Sequence, residues 1–68
     1  MKKEKLTNRV RALRQEAGMT QQQLAQQVGV TRQTIIAIER GNYTPSVTLA
    51  LKIAQVFRVY CEDVFVLF

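Results

Sequence analysis

Arg32, Gln33 and Arg40 place forked hydrogen-bonding side chains within nine residues of one another, with Thr31 and Thr34 among them. An arginine fork matches the guanine edge in a DNA major groove, and a glutamine carboxamide matches the adenine edge. Ile36 and Ala37 can touch a thymine methyl. At ~100° per residue along a helix, Arg32, Gln33, Ile36, Ala37 and Arg40 share one side, and Ile35, Ile38 and Glu39 share the other. The second side is mostly apolar and suits a core. Most polar helix faces are simply solvated, so the surroundings of this stretch must decide its role. Little else in the chain offers chemistry. With no histidine and one cysteine, a disulfide framework and a His-based metal or catalytic site are excluded. Cys61 has no visible base beside it and reads as a small buried hydrophobe. No paired carboxylates share a credible cleft, so neither an enzyme nor a cofactor or metal is expected.

The elements that must position these side chains span Thr20 to Arg40. Thr20 with Gln23 forms the Thr-x-x-Gln capping box, which satisfies two orphan backbone donors at a helix start. Leu24, Ala25 and Val28 give the following helix one apolar side. Gly29 allows a left-handed turn, Val30 tucks inward and Thr31 caps the next helix. A helix, a glycine turn and a second capped helix is the layout of a helix-turn-helix, here over residues 20–40.

At 68 residues the chain reads as one domain with a small core. Ten basic and five acidic residues give a net charge of +5. The basic excess lies early, in Lys2, Lys3, Lys5, Arg9, Arg11, Arg14, Arg32 and Arg40, while Glu62 and Asp63 lie near the C-terminus. One positive face that attracts phosphates is therefore expected. A membrane partner is not, because no helix sets a purely basic face against a purely apolar one. No apolar run reaches the ~20 residues of a bilayer span. The MKKEK start lacks an apolar signal core, which points to the cytoplasm.

Outside the central stretch, residues 1–5 are expected to be loose or briefly extended. A first helix is expected from Leu6 to Ala17, with Leu6, Val10, Leu13 and Ala17 lining one side. Arg14 falls beside that stripe and Glu39 beside the inward isoleucines. A charge near a core needs a partner, so the two are expected to meet as an ion pair clamping helix 1 to helix 3. Gly41 and Pro45 end the third helix. Asn42 and Tyr43 then stand on a loop where they can bond phosphates, although Tyr43 can equally pack over the loop. Residues 46–57 carry apolar side chains around nearly the whole circumference, broken by Lys52 and Gln55, which predicts a hub buried on most sides. Residues 59–65 can form a last short helix, with Glu62 and Asp63 in its first turn. The end, Val64-Phe65-Val66-Leu67-Phe68, is five consecutive apolar residues. It reads as a dimer contact, a short strand or both, within a dimerisation segment at 59–68. The alternative is closure of the monomer's own core.

These residues carry a resemblance. The run Leu13-Arg14-Gln15-Glu16-Ala17-Gly18-Met19-Thr20-Gln21, with Leu24-Ala25, Val28-Gly29-Val30, Thr31-Arg32-Gln33-Thr34-Ile35, Ile38-Glu39-Arg40-Gly41 and Tyr43-x-Pro45-Ser46, resembles the Cro/repressor-type helix-turn-helix family. That family is also called the xenobiotic-response-element type. The resemblance covers roughly Leu6 to Phe65. It implies an all-α fold, a compact five-helix lambda-repressor-like bundle, to which some short members add a small β element at the termini. It also implies helix 3 in the major groove, and usually a homodimer on a two-fold operator formed through the last helix and C-terminal segment. By the resemblance, Gln21 holds a DNA phosphate, and Arg32, Gln33, Thr34, Ile36 and Ala37 touch bases or phosphates. Arg14 and Glu39 match a structural pair. Relatives commonly carry Gly where this chain has Arg58, and Ser or Thr where it has Tyr60.

The function expected from both lines is a sequence-specific double-stranded DNA-binding transcriptional regulator. It would act as a repressor and homodimer on a palindromic operator. The alternative is an antitoxin-like module whose apolar tail binds another protein, with DNA binding serving autoregulation.

Overall fold

A computed structural model of the protein describes residues 4–68. The expected loose start falls partly on residues 1–3, which lie outside the described residues. Five helices and one two-stranded sheet follow in the order β1 (Leu6–Asn8), α1 (Val10–Glu16), α2 (Gln21–Val28), α3 (Arg32–Glu39), α4 (Val47–Phe57), α5 (Cys61–Val64) and β2 (Phe65–Leu67).

The first helix is shorter than its sequence pattern predicts. Residues 6–8 pair antiparallel with β2, with Leu6 opposite Leu67, Thr7 opposite Val66 and Asn8 opposite Phe65. Lys5 and Phe68 extend the ladder by exchanging both backbone bonds at 2.8 Å. Arg9 N–H donates to the Val64 carbonyl, also at 2.8 Å. The side chain of Asn8 then accepts from Val10 N–H at 3.1 Å, which starts α1. A strand partner 59 residues away thus takes the segment that periodicity alone assigns to a helix. Of the predicted stripe, Val10 is buried and Leu13 is half-buried. Leu6 and Ala17 are exposed.

The core is built from Val10, Leu24, Ala25, Val28, Ile35, Ile38, Leu49, Ile53, Ala54 and Val64. Ser46 caps α4 by accepting from Leu49 N–H at 3.1 Å. This helix packs against α1, α2 and α5, but it is not buried on most sides as expected. Leu49, Ala50, Ile53 and Ala54 face inward, while Val47 is 76% and Leu51 49% exposed. A chain this short has too few neighbouring elements to cover a whole helix. The exposed strip therefore runs from Val47 and Thr48 through Leu51 and Lys52 to Gln55.

Arg58 ends α4 with φ 56° and ψ 43°, the left-handed conformation that favours glycine. Tyr60 makes no side-chain cap for α5. Instead Asp63 Oδ2 reaches back to accept from Tyr60 N–H at 3.1 Å. Val64, assigned from the sequence to a dimer contact, is fully buried in this chain's own core, and half-buried Phe65 packs against the same cluster. Those two side chains are committed within the monomer. Leu67 and Phe68, 60% and 74% exposed, are the tail residues open to a second molecule.

Candidate nucleic-acid interface

The interface is assembled by α2, the turn after it and α3. Thr20 Oγ1 accepts from Gln23 N–H at 3.1 Å, and Gln23 Oε1 accepts from Thr20 N–H at 2.8 Å, so both halves of the capping box are present. Gly29 turns the chain at φ 75° and ψ 32°. Val30 N–H then closes on the Ala25 carbonyl at 3.0 Å. Thr31 caps α3 by accepting from Thr34 N–H at 3.3 Å. Leu24, Ala25 and Val28 of α2 and Ile35 and Ile38 of α3 are all buried, which fixes the two helices against each other. Their burial leaves the opposite side of α3 outward.

On that side Arg32, Gln33 and Arg40 are exposed, and Ile36 and Ala37 are half-buried. Thr31 is exposed and Thr34 half-buried, with their hydroxyl oxygens 3.2 Å apart. The Thr34 hydroxyl is thus engaged at the helix start. Arg32 and Ile36 of α3 and Arg40 at its C-terminal end, each one turn from the next, form one wall of an open cleft of about 610 Å³. Arg11 and Arg14 of α1, Met19 and Glu39, and Thr20, Gln21 and Gln22 around the start of α2 complete it.

At the base of the cleft lies the Arg14–Glu39 pair. Arg14 Nε donates to Glu39 Oε2 at 2.7 Å and Arg14 Nη2 donates to Glu39 Oε1 at 3.2 Å, a two-pronged contact. Arg14 Nη1 also donates to the Met19 carbonyl at 2.9 Å, so one guanidinium ties α1, the following turn and α3 together. The side chains are 12% and 5% exposed. The Glu39 hydrogen bond, helped by its charge, holds the Arg14 pKa above the usual value despite burial. Gln21 Nε2 donates to Glu39 Oε1 at 3.2 Å. An amide nitrogen carries two N–H groups, so this bond orients Gln21 while leaving one donor for an outside acceptor.

Among the described residues Arg14–Glu39 is the one ion pair. Arg11, Arg32 and Arg40 are exposed around the cleft. Three such cations beside amide and hydroxyl donors make a site for anionic oxygens. Of the residues singled out from sequence, the structure brings Gln21, Arg32, Ile36, Arg40, Arg14 and Glu39 together here. In the sequence Arg11 stands out only as part of the basic excess. Its three-residue spacing from Arg14 is the signal that places it on the same side of α1.

Other candidates lie elsewhere. Gln33 and Ala37 occupy the outward stripe of α3 beside the cleft. Exposed Asn42 follows α3, its N–H bonded to the Ala37 carbonyl at 2.9 Å. Tyr43, 48% exposed, lines a separate shallow groove with Gly29, Val30, Ser46, Thr48 and Lys52. The tail residues Val66, Leu67 and Phe68 belong to the terminal sheet and take no part in the cleft.

Comparison with known proteins agrees with this geometry. The helix-turn-helix family model matches residues 10–64. A Bacillus subtilis protein named as the HTH-type transcriptional regulator YgzD is 52% identical over 60 residues, covering 88% of this chain and 91% of that one. An HTH-type transcriptional regulator of Methanothermobacter thermautotrophicus is 54% identical over 59 residues, covering 85% and 86% of the two chains. Among solved structures, the restriction-modification controller protein C.AhdI from Aeromonas hydrophila superposes with a TM-score of 0.75 at 31% identity, over 81% of this chain and 83% of that one. No helix among the described residues is long and apolar enough to cross a membrane. The chain is a member of the Cro/repressor-type helix-turn-helix family of non-enzymatic, DNA-binding transcriptional regulators.

Proposed function

We propose that the protein is a single-domain cytoplasmic transcriptional repressor that binds double-stranded DNA as a homodimer, with α3 in the major groove. The observation that carries this reading is the pairing of an outward α3 face, bearing Arg32 and Gln33, with the arginine-lined cleft along its flank. An α-helix fits the major groove, where its flanks meet the phosphate backbones. Arg32 and Gln33 read base edges, while Ile36 and Ala37 supply apolar contact to thymine methyls. Gln21, Arg40, Thr31, Asn42 and Tyr43 hold phosphates and set the register of α3. Thr34 supports the reading face through its bond to Thr31.

The exposed Leu67 and Phe68 support a two-fold contact through the terminal sheet, and a two-fold protein favours a palindromic operator. Repression by covering a promoter is the simplest mode for one DNA-binding domain. Selection of duplexes from a random-sequence library tests the reading. The full chain should enrich a two-fold sequence. Arg32→Ala should then lose about 1–3 kcal/mol on that sequence and relax preference at one base pair. Equal losses on selected and random duplexes would remove Arg32 from base reading.

A further inference from the structure

The terminal sheet and the reading helix are joined by one side chain. Asn8, the last residue of β1, donates from Nδ2 to the Ile38 carbonyl in the last turn of α3 at 2.9 Å. Its Oδ1 accepts from Val10 N–H at 3.1 Å. The two partners, an acceptor and a donor, leave only one orientation for the carboxamide. Asn8 is in turn held by the strand pair on both sides of it. Thr7 Oγ1 donates to the Val66 carbonyl at 3.2 Å, and Arg9 N–H donates to the Val64 carbonyl at 2.8 Å. Ile38 is itself fully buried. Its carbonyl also accepts from Gly41 N–H at 2.9 Å, within the turn that ends α3. Asn8 thus grips α3 two residues before Arg40, next to Glu39, which Arg14 and Gln21 grip from the cleft side.

We propose that Asn8 is a positioning residue for DNA reading, coupling the pairing of the terminal strands to the seat of α3. The proposal rests on α3 being the reading helix. Two polar clamps then hold its C-terminal half, Asn8 from the sheet and Arg14 with Gln21 from the cleft. Its N-terminal half is held mainly by apolar packing and its own threonine cap. Loss of the sheet clamp lets α3 tilt by a small amount, which base contacts feel sharply because their geometry is directional. Salt-dependent phosphate attraction tolerates the same tilt. Sequence discrimination should therefore fall while general DNA affinity stays.

Asn8→Asp and Asn8→Ser test this. Both keep an oxygen able to accept from Val10 N–H; aspartate has no donor for the Ile38 carbonyl, and the serine hydroxyl stops one atom short of the place from which the Asn8 amide nitrogen reaches it. The serine variant adds no charge and carries the comparison should the aspartate fail to fold. Binding is measured to the duplex that the unmodified chain selects and to a scrambled duplex of the same length. The variants should bind the selected duplex about 3- to 10-fold more weakly, the net effect of one lost hydrogen bond, with the scrambled duplex nearly unchanged. Amide exchange at Gly41 and Asn42 should quicken while the amides of Leu24 and Ile53 keep their protection. An unchanged ratio between the duplexes overturns the proposal. So does an equal loss on both with exchange raised throughout, which would make Asn8 merely structural. If the unmodified chain selects no sequence at all, the assignment of α3 as reading helix falls as well. If it selects one and the variants discriminate equally well, only the role of Asn8 falls.

Discussion

At Arg14 and Glu39 two charges are removed from water and joined by two hydrogen bonds, with Met19 and Gln21 satisfying further polar atoms. Removing one member leaves the other buried and unpaired, which costs far more than an exposed pair would. Arg14→Ala should destabilise the fold by about 3–5 kcal/mol in urea unfolding, and a change within ~0.5 kcal/mol would show the pair to be superficial. Because the folded Arg14 pKa lies above its ordinary value, its contribution is fully present below that ordinary value. It is lost only as pH rises through the higher folded one. Arg14 therefore keeps its charge across the neutral range. Arg58 presents the opposite case, a residue in a conformation that its Cβ disfavours. Replacing it with glycine relieves roughly 1–2 kcal/mol of local strain, offset by the greater freedom of unfolded glycine. Arg58→Gly should thus raise stability by up to about 1 kcal/mol, seen as a higher melting temperature. A lower one would mean that the arginine side chain makes a stabilising contact.

The elements differ in how far local sequence decides them. Helices α2 and α3 have side-chain caps, a glycine turn and one apolar side each, and every local signal agrees with their packing. Helix α4 has apolar residues around most of its circumference, and only its neighbours choose which of them are covered. Ile53 is fully buried and Leu51 is half exposed, although both are large aliphatic residues on the same helix. Ile53→Ala should cost about 2–5 kcal/mol, and Leu51→Ala in the isolated monomer only a few tenths. Comparable large losses at both would return α4 to the fully buried hub that its composition suggests. A loss at Leu51 that grows with protein concentration would place this strip in a subunit contact.

For the whole molecule, the separation of surfaces matters most. The arginine cleft belongs to α1, α2 and α3, whereas the exposed tail residues belong to the sheet formed by the two ends of the described chain. DNA and a second copy can be bound at once only if those surfaces stay apart. A version lacking Val66 to Phe68 should change from dimer to monomer in a solution mass measurement, and on the proposed palindrome its affinity should fall steeply through lost avidity. A full-length monomer would free Leu67 and Phe68 for a different protein and favour the antitoxin-like alternative.

The helix-turn-helix is legible in the amino-acid sequence. Its caps, glycine turn and 3.6-residue periodicity are local features, readable within about twenty residues. The Arg14–Glu39 pair was also legible, because each charge sat beside an apolar stripe where an unpaired charge is costly. Tertiary structure alone decided the rest. Leu6 to Asn8 became a strand because their partners lie at the other end of the chain, and no local window contains both. Val64, the last residue of α5, went into the core, and burial falls off along β2 until Leu67 and Phe68 stand outside, because the last residues run past the packed helices. A run of five apolar residues cannot itself say which of them has neighbours. Three-dimensional contact also gave Asn8 its place between the sheet and α3, since the carbonyl that it grips is thirty residues away in sequence.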